Sequence, residues 1–296
     1  MKHAFRLLVI AAFLAVFVGS RIADADDPLA SWRIGVRIRP VAADTGRHTI
    51  HAYFNTCPES PDGKYVLYYT STTLKGETGD LRILERSSGE ETIIASDITT
   101  EDAHRAACQQ WTAGGTKAVY HDCRNGRWRV LAVDITTLKQ TVLVEDRQVG
   151  FGSPQQPWVP VYGCHWNPGP HRDLELIHVE TGEILKAVTV GQVVQEYGDW
   201  VQEKFGTKDI SIFFPVLSPN GEKVFFKLSR PSGRDNFRSK QASFREGKGV
   251  YDLANNRFIR LFQRWGHPSW DPASEAIFEK GNFLSNVETG RSRRYA

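Results

Sequence analysis

Four histidines, His51, His104, His165 and His267, lie where short apolar runs begin or end. Imidazole is the commonest metal ligand at neutral pH and can also move a proton there. Histidines this far apart act together only if the fold gathers them; otherwise each satisfies a local hydrogen bond. His267 is the best placed, between Gly266 and Pro268 and just before Trp270. His104 is followed by Arg105 and, shortly after, by Gln109 and Gln110. His121-Asp122 and His171-Arg172 read more plainly as a strand end and a Pro-rich turn. A second group is basic: Arg230, Arg234, Arg238, Lys240, Arg245 and Lys248 crowd residues 229–248. Arginine offers a planar fork of donors that grips carboxylates, although such a run is equally at home on solvated surface. No Gly-x-Ser-x-Gly elbow, no Gly-rich phosphate loop after a strand and no Cys-x-x-Cys pair occurs, which leaves out the chemistries those motifs carry.

The elements that must position these residues repeat along the chain. Turns at Asp62-Gly63, Gly114-Gly115, Asn220-Gly221 and Ala273-Ser274 are separated by 52, 106 and 53 residues. The middle interval is double, so one unit is hidden inside it. A period of about 50 residues built from short strands predicts four-stranded blades, an all-β propeller. Tyr53-Phe54-Asn55-Thr56-Cys57 reads as the inner strand of the first blade, and 106–111 as that of the second. Runs at 65–69, 81–86, 117–120, 128–133, 141–144, 159–166, 174–179, 212–214 and 223–228 alternate or carry β-branched and aromatic residues as strands do. Residues 192–208 have helical spacing and predict a short helix between blades. Residues 229–248 read as a long surface loop between two middle strands. Five blades are visible. Either residues 32–38 add a strand beside 291–295 and close five, or the five belong to a truncated seven-bladed ring.

Lys2 and Arg6, the apolar run of 13 residues from Leu7 to Gly19 and Ala23-Asp24-Ala25 form an export signal over residues 1–25. The propeller then occupies 26–296, and a periplasmic or secreted location is expected, with no stable membrane span after cleavage. Removing the signal leaves 34 basic against 33 acidic residues. No basic stripe dominates, so nucleic acid is not an expected partner. Cys57, Cys108, Cys123 and Cys164 are even in number but do not space as a disulfide framework, and buried free thiols are the expectation.

The stretch Tyr53-Phe54-Asn55-Thr56-Cys57-Pro58-Glu59-Ser60-Pro61-Asp62-Gly63-Lys64, the Thr-Gly-Glu turns and Gly266-His267-Pro268-Ser269-Trp270 together resemble the oligogalacturonate lyase group. Its members are seven-bladed propellers related to TolB-type, WD40-like repeats. The resemblance implies cleavage of short pectin fragments by β-elimination with manganese. It makes His267 a metal ligand, and it makes His104, Arg238 and Lys240 candidates for the proton transfer. Arg105, Gln109, Gln110, His165, Arg230 and Arg234 become candidates for holding the acidic oligosaccharide. The group's Gln-x-x-His-x-His cluster has no counterpart: Gln263 precedes His267, with Trp265 where a histidine is expected. A non-catalytic TolB-like propeller binding a protein or glycan partner is the alternative.

Overall fold

The computed structural model describes residues 34–36, 40–42, 46–234, 243–263, 266–279 and 283–294. The chain divides into two compact units, Met1–Pro40 and Val41–Ala296. In the first, Ile34-Gly35 is a turn with Gly35 at φ +76°; the rest of the predicted 32–38 strand lies outside the described residues, apart from Val36, as does the export signal. Among the described residues no helix is long and apolar enough to cross a membrane.

The second unit carries five sheets of four strands, each sheet a meander in chain order. The first holds β1 (His48–Ile50), β2 (Tyr65–Ser71), β3 (Thr78–Glu85) and β4 (Glu91–Thr99). The second holds β5 (Gln110–Thr112), β6 (Lys117–Arg124), β7 (Arg127–Asp134) and β8 (Gln140–Glu145). The third is β9 (Gln148–Val149), β10 (Trp158–Tyr162), β11 (Leu174–His178) and β12 (Ile184–Val188). The fourth is β13 (Ser211–Leu217), β14 (Lys223–Pro231), β15 (Ser243–Asp252) and β16 (Arg257–Phe262), and the fifth is β17 (Ser269–Trp270), β18 (Ala276–Glu279), β19 (Phe283–Asn286) and β20 (Ser292–Arg294). One core cluster takes side chains from sheets two to five and Tyr53 from the segment between β1 and β2, with Val119, Phe151, Phe214 and Ile277 among its members, while a second cluster joins the first sheet to the second. Five meanders joined by such shared cores make a β-propeller.

The repeated turn is physically the same object in blades 1 and 4. Ser60 Oγ donates to Asp62 Oδ1 at 2.7 Å and accepts from the Tyr65 amide at 2.9 Å. Ser218 does the same with Asn220 and Lys223, at the same two distances. Gly63 and Gly221 close the two turns at φ +72° and +77°, where glycine is favoured. The Asn125-Gly126 hairpin has both residues at positive φ, as its two-residue connection requires.

The inner strands differ from expectation. Residues 53–57 turn away from the first sheet, and its inner edge is β1 plus a bridge from Glu59 to Val66. The second begins only at Gln110, because Ala106 and Cys108 sit at φ +46° and +50°, a region that breaks a strand. The segment 229–248 is largely a β-hairpin, since β14 and β15 pair from Lys223 with Asp252 out to Pro231 with Ser243. The predicted helix is present as α1 (Val190–Phe205), entered by a Thr189–Gln192 capping box and ended by Gly206 at φ +67°. It replaces the link between β12 and β13.

Two tryptophans at equivalent places join blades. Trp111 donates its indole N–H to the Pro58 carbonyl at 2.8 Å, and Trp270 donates to the Val216 carbonyl at 3.0 Å. Trp270→Phe keeps an aromatic ring but deletes the indole N–H and with it this buried bond. The expected loss is about 1–3 kcal/mol, the cost of a buried carbonyl left without its donor, and urea unfolding of the variant against the parent measures it.

Candidate functional site

Antiparallel meanders send the β2–β3 and β4–β5 types of link to one end of the propeller. That end carries His104 and Arg105 (after β4), His165 (after β10), the β14–β15 hairpin and His267 (after β16). At the centre an aromatic plug fills the space between inner strands. Tyr53 stacks on Phe151 with centroids 5.5 Å apart and meets Phe214 edge-on at 5.6 Å, while Phe151 and Phe214 lie 5.2 Å apart. Phe214 reaches in because β13 bulges between Phe213 and Val216, with Phe214 at φ +51°. His104 stands edge-on to Tyr53 at 5.2 Å, and His165 stacks on Phe213 at 4.6 Å.

Around this plug the charges are positive. Arg105 donates to the Tyr162 hydroxyl at 2.8 Å and pairs with Glu101 at 3.4 Å, and Gln148 holds the same carboxylate at 2.8 Å. Lys227, on β14, is 1% exposed and lies 4.0 Å over the Phe214 ring. Lys248 is buried and ion-paired with Glu279, which also accepts from Ser285 at 2.8 Å. Burial, followed by the charges of Arg245, Lys248 and Arg105, holds the Lys227 ammonium well below the usual lysine range. Burial and then Arg105 lower Arg245 as well. His267 is exposed at the rim, yet lost hydration, then Lys227, His104 and Arg245, push its ring down to about 4. His165 falls well below the histidine range by burial, with Arg105, Arg245 and Lys227 adding to it. Basic side chains of blade 4 and of the link into blade 2 therefore act on His165 and His267, with Glu101 and Glu279 holding two of them.

The residues singled out in sequence divide accordingly. His104, Arg105, His165 and His267 come to one place. Gln109 donates to the Ile50 carbonyl at 3.2 Å. The Gln110 amide bridges blades, donating to the Cys108 and Gly150 carbonyls and accepting from the Gly152 amide. Arg230 donates to the Phe205 carbonyl at 2.7 Å, at the end of α1. Arg234 is exposed. Arg238 and Lys240 lie outside the described residues. Cys108 and Cys164 are buried free thiols, Cys123 is half-buried and Cys57 is exposed; burial pushes Cys108 up to about 11, so it is no nucleophile. Lys227 was missed. Its signal was there, a lysine inside Val224-Phe225-Phe226-Lys227-Leu228, where a strand buried on both faces admits only apolar residues unless a charge has a purpose.

A manganese ion does not fit what is described. Among the described residues no three His, Cys, Asp or Glu side chains group to hold a metal. The charges acting on His267 are cationic, which disfavours a divalent cation beside it.

A β-propeller is thus the class the fold defines, and solved structures share it. The fold is shared with TolB from Acinetobacter baumannii, at TM-score 0.51 and 12% identity over 80% of this chain and 52% of that one. It is shared with an oligogalacturonate lyase in complex with manganese, at TM-score 0.51 and 14% identity over 84% and 78%. A puromycin-hydrolyzing peptidase from Mycobacterium tuberculosis gives TM-score 0.52 at 10% identity over 79% and 36%. The chain spans about half the length of that TolB chain. At such identities the likeness is one of fold, not of activity. No family model matches the chain, and no curated protein does.

Two buried histidines set a pH dependence. His121 and His165 each bury Nδ1 without a hydrogen-bond partner and are held well below the ordinary histidine value, chiefly by burial. The unfolded chain therefore binds protons that the folded one refuses once pH drops below about 6.5, and stability falls by up to about 1.4 kcal/mol per pH unit for each. Urea midpoints are expected to decline from pH 7.5 to 5, and His121→Phe to flatten that decline.

Proposed function

We propose that the channel mouth binds acidic oligosaccharides, chains of uronic acids of the pectin type. The observation that carries this is the convergence of Arg105, Lys227 and Arg245 with His165 and His267 on one end of the propeller, where all three basic side chains lower the proton affinity of His165 and the last two that of His267. Holding cations together is electrostatically costly, and a polycarboxylate relieves that cost. The oligogalacturonate lyase structure shares the fold, which agrees with this ligand class. An exported, periplasmic or secreted protein would meet such ligands.

Elimination is the second part of the reading, favoured by the depressed His267. A basic group that stays unprotonated among cations can take the C5 proton next to a uronate carboxylate, while Arg245 steadies the charge that develops. The C4–C5 double bond then forms as the C4–O bond breaks, and the departing oxygen takes up a proton from the base or from water. His104, at the same rim, is the other candidate base. The chemistry attributed here to this chain uses its own side chains. A TolB-like propeller that binds without turnover keeps the first part and lacks the second.

Titration of the full chain with trigalacturonate, read by calorimetry and by ultraviolet absorbance of unsaturated product with and without Mn²⁺, separates these. Saturable binding is expected, at least ten-fold weaker in Arg245→Ala. Because an anion beside His267 raises its pKa from about 4, the complex takes up protons and affinity increases as pH falls from 7 toward 5. No heat of binding at any pH contradicts the ligand. Binding without a rise in absorbance removes the lyase part and leaves the binding part standing.

A further inference from the structure

The loops of blades 2 and 3 enclose a cavity of about 590 Å³ at the same end of the propeller, displaced from the axis. Its volume lies within the range of about 300–1,000 Å³ of small-ligand clefts. The two neighbours of His165 help line it: Cys164 and Trp166 face this cavity, whereas His165 stacks toward the channel on Phe213. Trp128, at the start of β7, supplies a second indole, and the two tryptophans pack with Cys164 in one cluster. The thiol is held well above its ordinary pKa by burial, so it is an apolar wall and not a nucleophile.

The remaining walls are polar and fixed. Asp146 is pinned by its amide, which donates to the Trp128 carbonyl at 2.7 Å, and by a two-point contact with Arg127 at 2.9 and 3.2 Å. The Arg127 contact keeps its carboxyl below the usual range, so it is ionised and accepts hydrogen bonds. His171 lies across from it, on a turn closed by its own amide to the Pro168 carbonyl at 2.9 Å. Its Nε2 is 3.1 Å from Arg147 Nη1. An arginine can only donate, so Nε2 accepts and the proton sits on Nδ1 as a donor. Burial, with Arg147 next, lowers its pKa, which keeps that tautomer neutral. Asn167 adds an amide to the lining.

We infer that this cavity is a second binding site, for a neutral pyranose such as a galactose unit. The edges of the two buried indoles and Cys164 form an apolar back wall against which the C–H side of a sugar can rest. An anchored carboxylate, an imidazole N–H and an amide match the alternating donors and acceptors of its hydroxyls. The Asp146 charge discriminates against uronates, so this site and the cationic channel select different sugars. It does not depend on the channel reading.

The test is a titration of the full chain with galactose and, separately, galacturonate, followed by tryptophan fluorescence and by saturation-transfer NMR of the sugar protons. Galactose is expected to give a saturable signal, weakened at least ten-fold by Asn167→Ala with His171→Ala, two changes in the cavity lining that unfolding curves would verify leave the fold intact. Arg245→Ala, which acts on the channel, leaves it unchanged. Galacturonate is expected to bind at least five-fold more weakly than galactose, and Asp146→Asn to narrow that gap. No saturable galactose signal, a signal that survives the double variant, or galacturonate binding as tightly as galactose overturns the inference. Loss of trigalacturonate binding alone would leave it intact.

Discussion

The radial arrangement depends on buried polar contacts that each inner strand makes with the next blade. A sheet edge at the axis cannot turn to water, so its backbone groups need partners from the neighbouring blade. The Trp111 and Trp270 indoles provide two of these, and Gln110 provides two at once between blades 2 and 3. The bridge between Phe151 and Val216 provides another between blades 3 and 4. These contacts pull the inner strands out of regular geometry. The bulge at Phe214 and the left-handed residues Ala106 and Cys108 are the result, and they aim the aromatic plug and Arg105 at the centre.

Charge at that centre is organised, not accidental. Glu101 is held by Arg105 and Gln148, and Glu279 by Lys248 and Ser285. Arg105, Arg245 and Lys227 act together on His165, and Lys227 and Arg245 act on His267. A buried base surrounded by cations is a poor choice for stability alone. Its place beside His165, Arg105 and Arg245, at the end where links from several blades gather, is the reason to read that end as a ligand site. The off-axis cavity has the reverse character, with a carboxylate on its wall, so one face of the propeller presents two chemically distinct surfaces.

Local chemistry was legible in the sequence and axial chemistry was not. Ser60-Pro61-Asp62-Gly63, Ser218-Pro219-Asn220-Gly221 and Asn125-Gly126 fix their turns by bonds within a few residues, so the repeat and the middle strands could be read directly. Residues 53–57 look like a strand by composition yet loop out, because Tyr53 is drawn into a plug built from other blades. Gln109 and Gln110 look like ligand-binding amides and instead serve the backbone. Arg230 looks like a carboxylate fork and serves the end of α1. His104, Arg105, His165 and His267 were found as separate residues, while Lys227, which links them electrostatically, was hidden inside a strand that hydropathy alone explains.

The claim on which the functional account stands is that cations from several blades converge on the mouth. An NMR titration of the His267 imidazole tests it most directly. The account predicts a midpoint near 4, rising toward the ordinary value of about 6.5 in Lys227→Met. A midpoint already near 6.5 in the parent protein, unmoved by that substitution, would contradict it.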